Sequence, residues 1–457
     1  MTPSGRTDSW PTQAAAKPPL VPASGPPLLG DEPQPTRPAS LPPSRRPAAL
    51  IVGAALLALV IIAGLAVAVI TRRDGATTDN GQASPQAPTT PPTYPEITPA
   101  SLSDTIERLA RFVEGERTLQ FRSPVDVELV TPEEFTARTA NRLAPSAEQV
   151  GVMGRELAAL GLATTGTDLL GGLNAIANEQ SAYYDPVTGI LSVADGTLDP
   201  ALERALVHEL TVALDDQWFE LTRPTTVPFA DDPAYGRSAT VEGNATRVDR
   251  AWVESLDDTT RREVYRLEAA RAASIDPAGA PWVLTELARS ARIDGVTLID
   301  TALSLGAEQA VDDVLASPPT TSSEVLWPER WVAQPEVAKV EVPPTDAPTD
   351  EVFATGSLGE ISLRLGLWEA AGGAEASAAA RGWRGDRLVA WRNAEGNDCV
   401  RVDIRTSSGE AGERLLVAME QWAAILPDAS AERIGPESVR FTSCTTPEAA
   451  AEIESPL

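Results

Sequence analysis

The feature that most constrains this chain is a run of 23 consecutive apolar residues, 48–70, which contains no charged side chain. As a helix the run would be about 35 Å long at 1.5 Å per residue, enough to span the hydrocarbon core of a bilayer. Proline-rich sequence flanks it on both sides, so no neighbouring domain is available to bury it as a core helix. The sequence therefore predicts a single transmembrane helix at 48–70.

The segments on either side of this run set the expected topology. Residues 1–47 hold 13 of the chain's 40 prolines and show no apolar periodicity, which predicts a disordered tail. Residues 71–100 are rich in proline and threonine, the composition of a linker. Three arginines lie shortly before the apolar run and two directly after it, so the positive-inside rule favours a cytoplasmic N-terminus by a small margin. We expect a single-pass protein of the cell membrane with residues 101–457 outside the cytoplasm.

The charge balance limits the partners of the chain. It has 37 Lys and Arg residues against 65 Asp and Glu, a net charge of −28. Such a surface repels phosphate backbones, which excludes nucleic acid as a partner. The expected partners are the membrane, through residues 48–70, and an envelope protein or peptide that the sequence does not identify.

Helical and strand patterns follow one another irregularly after residue 100, which predicts an α+β fold. A proline- and acid-rich connector at 335–350 divides this part into a domain at 101–345 and a smaller α+β subdomain at 346–457. Residues 318–331 have the composition of a loop. Helices are expected at 101–121, 131–141, 147–161, 200–221, 237–273, 358–381 and 410–425, and strands at 125–130, 189–194, 386–393, 398–406 and 437–443.

The helix at 200–221 carries the most informative motif. Asp199 is its expected N-cap, and the following proline occupies the first helical position. His208 and Glu209 open the string HELTV. In an HExxH motif two histidines one helical turn apart bind the same zinc ion, and the glutamate acts as general base on the metal-bound water. Here the fifth position is Val212, which has no lone pair to offer a metal.

The motif and its surroundings resemble a group of bacterial, largely actinobacterial, membrane-anchored metallopeptidases of the zincin type. The segments that carry the resemblance are YYDPVTGILSV at 183–193, LVHELTVALDDQ at 206–217, ATVEGNA at 239–245, PPTTSSEVLWPE at 318–329 and GWRGDR at 382–387. The resemblance implies a zincin-like fold for the domain at 101–345. It also implies His208 as the first zinc ligand, Glu209 as the general base and Glu242 as the downstream carboxylate ligand.

Three departures from the family pattern weaken this site. Val212 replaces the second histidine, Asn244 replaces an aspartate, and Trp327 stands where the family tends to have a histidine. A catalytic zinc site takes three protein ligands and a water, and only two ligands remain at family positions. Since the chain contains one histidine, no other site with two or three histidine ligands is possible. We expect no zinc and no other cofactor, so His208, Glu209 and Glu242 would be vestigial.

The sequence therefore favours a non-catalytic pseudo-metallopeptidase domain that binds or scaffolds at the cell envelope. One alternative is a metal-dependent peptidase that binds zinc through His208, Glu242 and a third group. Another is an unrelated fold in which the string is accidental and the histidine simply bonds to a carboxylate or carbonyl. Asp215 and Asp216, near the end of the helix, are expected to be solvated.

The two cysteines, Cys399 and Cys444, are expected to form a structural disulfide. Each lies on or just after a predicted strand, and an exported domain experiences an oxidising compartment. A catalytic thiol would need a histidine base, and the only histidine is far away in the sequence. The bond would stabilise the fold by about 4 kcal/mol through chain entropy.

Overall fold

The structure is a computed structural model, and it describes residues 92–143, 147–164, 167–177, 181–221, 229–274 and 281–445. All of these residues belong to one compact unit of the chain, 91–457. The predicted tail at 1–47, the apolar run at 48–70 and most of the linker at 71–100 lie outside the described residues.

Thirteen helices and eight strands form the described part of the chain. The helices are α1 (Pro99–Arg117), α2 (Pro132–Leu143), α3 (Ala147–Ala159), α4 (Leu169–Ala177), α5 (Pro200–Phe219), α6 (Asp232–Ser255), α7 (Asp258–Ser274), α8 (Trp282–Ala316), α9 (Ser322–Leu326), α10 (Pro328–Ala333), α11 (Gly359–Ala371), α12 (Gly373–Ala380) and α13 (Gly409–Ala424). The strands are β1 (Asp126–Val130), β2 (Ala182–Asp185), β3 (Ile190–Ala194), β4 (Glu351–Gly356), β5 (Trp383–Arg392), β6 (Asp398–Thr406), β7 (Asp428–Gly435) and β8 (Ser438–Cys444).

The upstream half combines a small sheet with long helices. Its three strands lie in the order β1-β3-β2, with β1 parallel and β2 antiparallel to β3. Helix α5 contacts β2, α1, α6 and α7. Its apolar side chains share one buried cluster with Leu191 and Val193 of β3 and with Val248 and Trp252 of α6. The motif helix is therefore the central element of this core.

Helices α6 and α8 pack unusually closely because glycines face each other. A Cβ atom on Gly243 would come within 2.3 Å of the backbone of Gly295, and one on Gly295 within 2.0 Å of the carbonyl oxygen of Ala239. Without side chains at these points the two helix backbones come into direct contact. The glycine of the EGN string thus has a packing role, and it brings the residue before it, Glu242, close to α8.

The downstream half is a five-stranded antiparallel sheet in the order β4-β5-β6-β8-β7. Alternate residues of β6 and β8, among them Val402 and Phe441, are fully buried beneath α11 and α13. Trp422 of α13 stacks on Phe441 with ring centroids 4.5 Å apart. Cys399 and Cys444 are paired across β6 and β8 and form a disulfide.

One part of the expected fold class is wrong for the structure. The chain was expected to combine an α+β domain with a transmembrane helix; the described residues are α+β, and no helix among them is long and apolar enough to cross a membrane. The reason is the distribution of charge. Even α8, the longest helix, carries Glu286, Arg289 and Arg292 between its buried apolar residues.

Several element boundaries differ from the expected ones. The helical region expected at 237–273 is two helices, because Asp257 accepts hydrogen bonds from the backbone of Thr259 and Thr260 and starts α7. The expected loop at 318–331 contains α9 and α10, with a capping box formed by Thr321 and Glu324. Strands β4 and β7 were not expected. Both lie at the edges of the sheet, where few residues are buried and the apolar alternation is weak.

Candidate functional site

The residues of the degenerate motif lie inside the upstream core. Asp199 caps α5 by accepting a hydrogen bond from the backbone N–H of Leu202 at 2.9 Å. Two turns further on, His208 is 8% exposed and Glu209 is 2% exposed. Val212 is fully buried among apolar side chains. The fifth motif position is therefore part of the hydrophobic core.

The structure brings two of the expected site residues together and adds a third. His208 Nδ1 lies 2.9 Å from Asp249 Oδ2, within hydrogen-bond distance. His208 Nε2 lies 3.3 Å from Glu242 Oε2, close enough for an ion pair, but the angles are not those of a hydrogen bond. Both carboxylates come from α6, where a spacing of seven residues places them on the same face. The imidazole therefore has a carboxylate at each nitrogen.

Arginines surround these carboxylates. Arg204 Nε contacts Asp249 Oδ1 at 2.9 Å, and its Nη1 contacts Glu268 at 2.8 Å. Arg292 of α8 places its Nε 3.2 Å from Glu242 Oε2, the same oxygen that faces His208. We call the six residues His208, Glu242, Asp249, Arg204, Glu268 and Arg292 the His208 cluster. With a protonated histidine the cluster contains three positive and three negative groups.

The protonation state of His208 follows from this arrangement. Burial alone would lower the pKa of His208, but the carboxylates of Asp249 and Glu242 raise it to about 9. The imidazole is therefore a cation at neutral pH. A protonated imidazole has no lone pair for a metal.

Glu209 lies apart from this cluster. Its carboxylate accepts a hydrogen bond from the backbone N–H of Tyr184 on β2 at 2.8 Å. The neighbouring Tyr184 hydroxyl donates to Asp216 at 2.8 Å, and burial together with this bond raises the pKa of the hydroxyl. Glu209 thus holds α5 against the small sheet.

The residues present do not complete a catalytic zinc site. Two ligands of a tetrahedral zinc ion lie about 3.3 Å apart when both metal–ligand bonds are about 2.0 Å, so the spacing of His208 Nε2 and Glu242 Oε2 would suit a ligand pair. The third donor is missing, because the fifth motif position is Val212. No three histidine, cysteine, aspartate or glutamate side chains of the described chain form a group that could hold a metal. In addition, the Arg292 cation already occupies one side of Glu242.

A second buried charge cluster involves Asn244 and Asp215. Arg117 of α1 is fully buried; its Nε contacts Asp215 Oδ1 at 2.9 Å, and its Nη2 contacts Asp312 at 2.8 Å. Its remaining nitrogen pairs with Glu308, which directly follows the kink of α8 at Gly306 and Ala307. We call this group, with Asn244 and Arg247, the Arg117 cluster.

Asn244 of α6 takes part in this cluster. Its amide nitrogen donates to Asp215 Oδ2 at 2.5 Å, while its oxygen accepts from Arg247. The expectation that Asp215 is solvated was therefore wrong, since the residue is 1% exposed and ion-paired. The Asp215 carboxylate and the Asn244 amide join α5 to α6.

Trp327 lies where two further segments of the resemblance, 318–329 and 382–387, meet. Its indole N–H donates to Glu360 Oε1 at 2.6 Å, and Arg330 contacts the other oxygen of the same carboxylate at 2.7 Å. The guanidinium of Arg381, directly before the GWRGDR string, lies 4.0 Å from the centre of the Trp327 ring. Asp386 of that string accepts hydrogen bonds from the backbone of Leu358 and Gly359. These segments form a structural seam and lie outside the His208 cluster.

Sequence reasoning missed Asp249, Arg204 and Arg292. One signal was readable: Asp249 follows Glu242 by seven residues on a predicted helix, so both share a face. The arginines come from other parts of α5 and from α8, and their pairing depends on how the helices pack. Nothing in a single sequence indicates that packing.

Comparison with known proteins identifies only the downstream half. Residues 350–451 match the model of a domain of unknown function (DUF8575). Neither the curated proteins nor the solved structures include a significant match. The matched residues begin directly before β4 and include all five strands of the downstream sheet.

Proposed function

We propose that the upstream part of this chain is a non-catalytic relative of the zincin-type metallopeptidases and that it binds or scaffolds outside the cytoplasm. The resemblance of the HELTV and EGN strings to that family motivates the ancestry. The Cys399–Cys444 disulfide supports an oxidising compartment, because such bonds seldom persist among cytosolic thiols.

The observation that carries the proposal is the double contact of Glu242 Oε2. This oxygen faces His208 Nε2 at 3.3 Å and Arg292 Nε at 3.2 Å. A zinc ion between His208 and Glu242 would have to displace the histidine proton and tolerate the neighbouring arginine cation. Ion pairs thus supply the positive charge that a metal would bring, and the cluster joins α5, α6, α7 and α8 without a metal.

Metal content tests this proposal. The full-length protein purified without chelator should contain far less than one zinc per chain by elemental analysis. Val212→His places a second imidazole one turn from His208 and should restore near-stoichiometric zinc, even though Asn244 remains in place of the family aspartate. Val212→Leu, which is similar in size but has no donor atom, is the matched control and should stay free of zinc.

Three results would overturn the proposal. Stoichiometric zinc in the unmodified protein would remove its basis. Chelator-sensitive proteolysis that Glu209→Gln abolishes would replace it with the enzyme alternative. If Val212→His folds but binds no zinc, the inferred zincin ancestry of α5 and α6 is refuted.

A metal-dependent peptidase with an unusual ligand set is the second candidate. One observation favours it, namely the ligand-like spacing of His208 Nε2 and Glu242 Oε2. In that case Arg292 would act as a gate, and Arg292→Ala should raise the zinc content of the protein together with its chelator-sensitive activity. In the ion-pair proposal the same variant stays inactive and loses stability.

A further inference from the structure

A strap crosses the outer face of the downstream sheet, the face opposite α11 and α13. It consists of residues 335–346. The N–H of Ala338 donates to the carbonyl of Arg384 at 2.8 Å. This close approach requires a glycine at position 385, because a Cβ there would lie only 2.3 Å from the Ala338 oxygen. At the other end, Arg401 of β6 donates to the Pro344 carbonyl and contacts Asp346. The strap is therefore anchored at both ends.

We call residues 339–342, which lie between these anchors, the arch. A groove of about 370 Å³ lies between the arch and the ends of β6, β7 and β8. Val340 lines one side, while Arg405, Ile434 and Ser438 line the other. The volume is in the lower range of ligand-binding pockets, so a short segment rather than a whole domain would fit.

Two cations and two anions line this groove, so it lacks the strong negative charge of the whole chain. Arg405 is exposed, and among the described residues its side chain donates to the Ser438 hydroxyl, at 2.8 Å, and forms no ion pair. Asp403, which also lines the groove, is engaged by both Nε and Nη2 of Arg440. Arg387, which lies opposite Asp403 on β5, is exposed and has no ion pair with any described residue. Two arginines therefore remain available beside the groove on a chain with a net charge of −28.

The backbone of the arch also offers partners. Within the described part of the chain, the N–H and C=O groups of residues 339–342 make no hydrogen bond. Lys339 and Glu341 pair with each other at 3.0 Å and are both more than 80% exposed, so they neutralise one another at the rim. An extended peptide can pair with such a backbone as it would with a strand, whereas a small anion cannot.

We propose that this groove binds an extended acidic peptide segment of a partner protein. The peptide backbone would pair with the arch, and its carboxylates would contact Arg387 and Arg405. This inference concerns the domain at 350–451 and the strap, and it does not depend on the proposed loss of catalysis at His208.

Fluorescence anisotropy with a labelled hexaglutamate peptide tests the inference on the full-length protein. The peptide should bind, and its affinity should fall as salt is added. The double variant Arg387→Ala/Arg405→Ala should weaken binding at least tenfold. Arg414→Ala is the matched control, because Arg414 is an exposed arginine of α13, paired with Glu410, in the same domain. This control should bind as the unmodified protein does.

Gly385→Ala separates the shape of the groove from its charge. The added methyl group would push the strap away from β5 without changing any charge, so a folded Gly385→Ala protein should also lose at least tenfold in affinity. If Gly385→Ala does not fold, the double variant Arg387→Ala/Arg405→Ala and its control Arg414→Ala still test the inference.

Two outcomes would refute the inference, and a third would replace it. Hexaglutamate that binds no better than hexaglutamine, or an equal loss in Arg414→Ala, would refute the inference. Binding of anionic lipid vesicles through the same arginines, in the absence of hexaglutamate binding, would replace it with a membrane contact.

Discussion

The helical half around His208 and the sheet half around Trp422 have different kinds of interior. In the helical half, the buried arginine of the Arg117 cluster and the histidine of the His208 cluster join helices that are distant in sequence. In the sheet half, the strands are held by apolar layers such as Trp422 on Phe441 and by a disulfide. Its cross-strand pair of Arg440 and Asp403 is partly exposed.

The two halves therefore differ in how their charged groups are buried. A buried charge is costly unless it has a partner, so the carboxylates of Glu242 and Asp249 need the cations that lie beside them. The His208 cluster contains those cations. In the sheet half one fully buried carboxylate, Asp398, is compensated in the same way by Arg392 and Arg155.

Removal of Arg117 should have the largest effect on stability. Arg117→Met would leave Asp215, Glu308 and Asp312 without their shared cation, and it should lower the free energy of unfolding by about 5 kcal/mol. Arg440→Met is the control from the sheet half, and it should cost about 1 kcal/mol because that pair is partly solvated. Urea denaturation measures both. Similar losses in the two variants would remove the contrast between the halves.

Removal of the disulfide should come next. Cys399→Ala/Cys444→Ala frees a loop whose ends are separated by 45 residues, and it should cost about 4 kcal/mol in the chain-entropy description. The unmodified protein with and without reductant provides the matched comparison. An unchanged unfolding midpoint in both experiments would mean that apolar packing alone stabilises the sheet.

The close contact between α6 and α8 should show a smaller effect. Gly243→Ala introduces a methyl group where the backbone of Gly295 lies, and we expect a loss of about 1 to 3 kcal/mol. Gly115→Ala is a suitable control, because a Cβ there would meet no atom within 4 Å. A stability equal to that of the control would contradict the close helix packing that places Glu242 beside Arg292.

The buried carboxyl of Asp232, at the start of α6, should make the free energy of unfolding depend on pH. Burial raises the pKa of Asp232 to about 8, with the nearby acids Asp386 and Glu360 adding to the rise. The folded protein therefore retains a proton that the unfolded chain releases near pH 4, so stability should fall as pH increases from about 4 to 8. The slope should be about 1 kcal/mol per pH unit. Asp232→Asn resembles the protonated acid and can still accept a hydrogen bond from the N–H of Ser322, so it should flatten this slope. An identical slope in the variant would contradict the assignment of the pH dependence to Asp232.

The sequence predicted local features better than the contacts between them. Strand β6 covers the same residues as expected, 398–406, because its buried residues alternate clearly. The cap at Asp199 was also confirmed, since capping depends on neighbours in sequence. Strand β7 was missed because its inward residues, Ala429 and Ala431, are small and give little apolar contrast.

The candidate site was only partly predictable for the same reason. The motif itself pointed to His208 and Glu242, and the structure brings them together. Arg292 reaches Glu242 only because Gly243 and Gly295 let two helices touch, and the sequence does not state that these glycines face each other. The residues that decide whether the site can accept a metal therefore emerge only from the packed structure.

His208 is the only histidine of the chain, so its ring signals in the NMR spectrum of the full-length protein are unambiguous and report whether the imidazole is protonated. In a sample labelled with ¹⁵N-histidine, both ring nitrogens should be protonated at pH 7. They should titrate with a midpoint near pH 9, the value to which the two carboxylates raise the pKa. Equimolar zinc should leave the signals unchanged. A midpoint below pH 7, or ring signals that shift when zinc is added, would contradict an ion-pair cluster in place of a metal site.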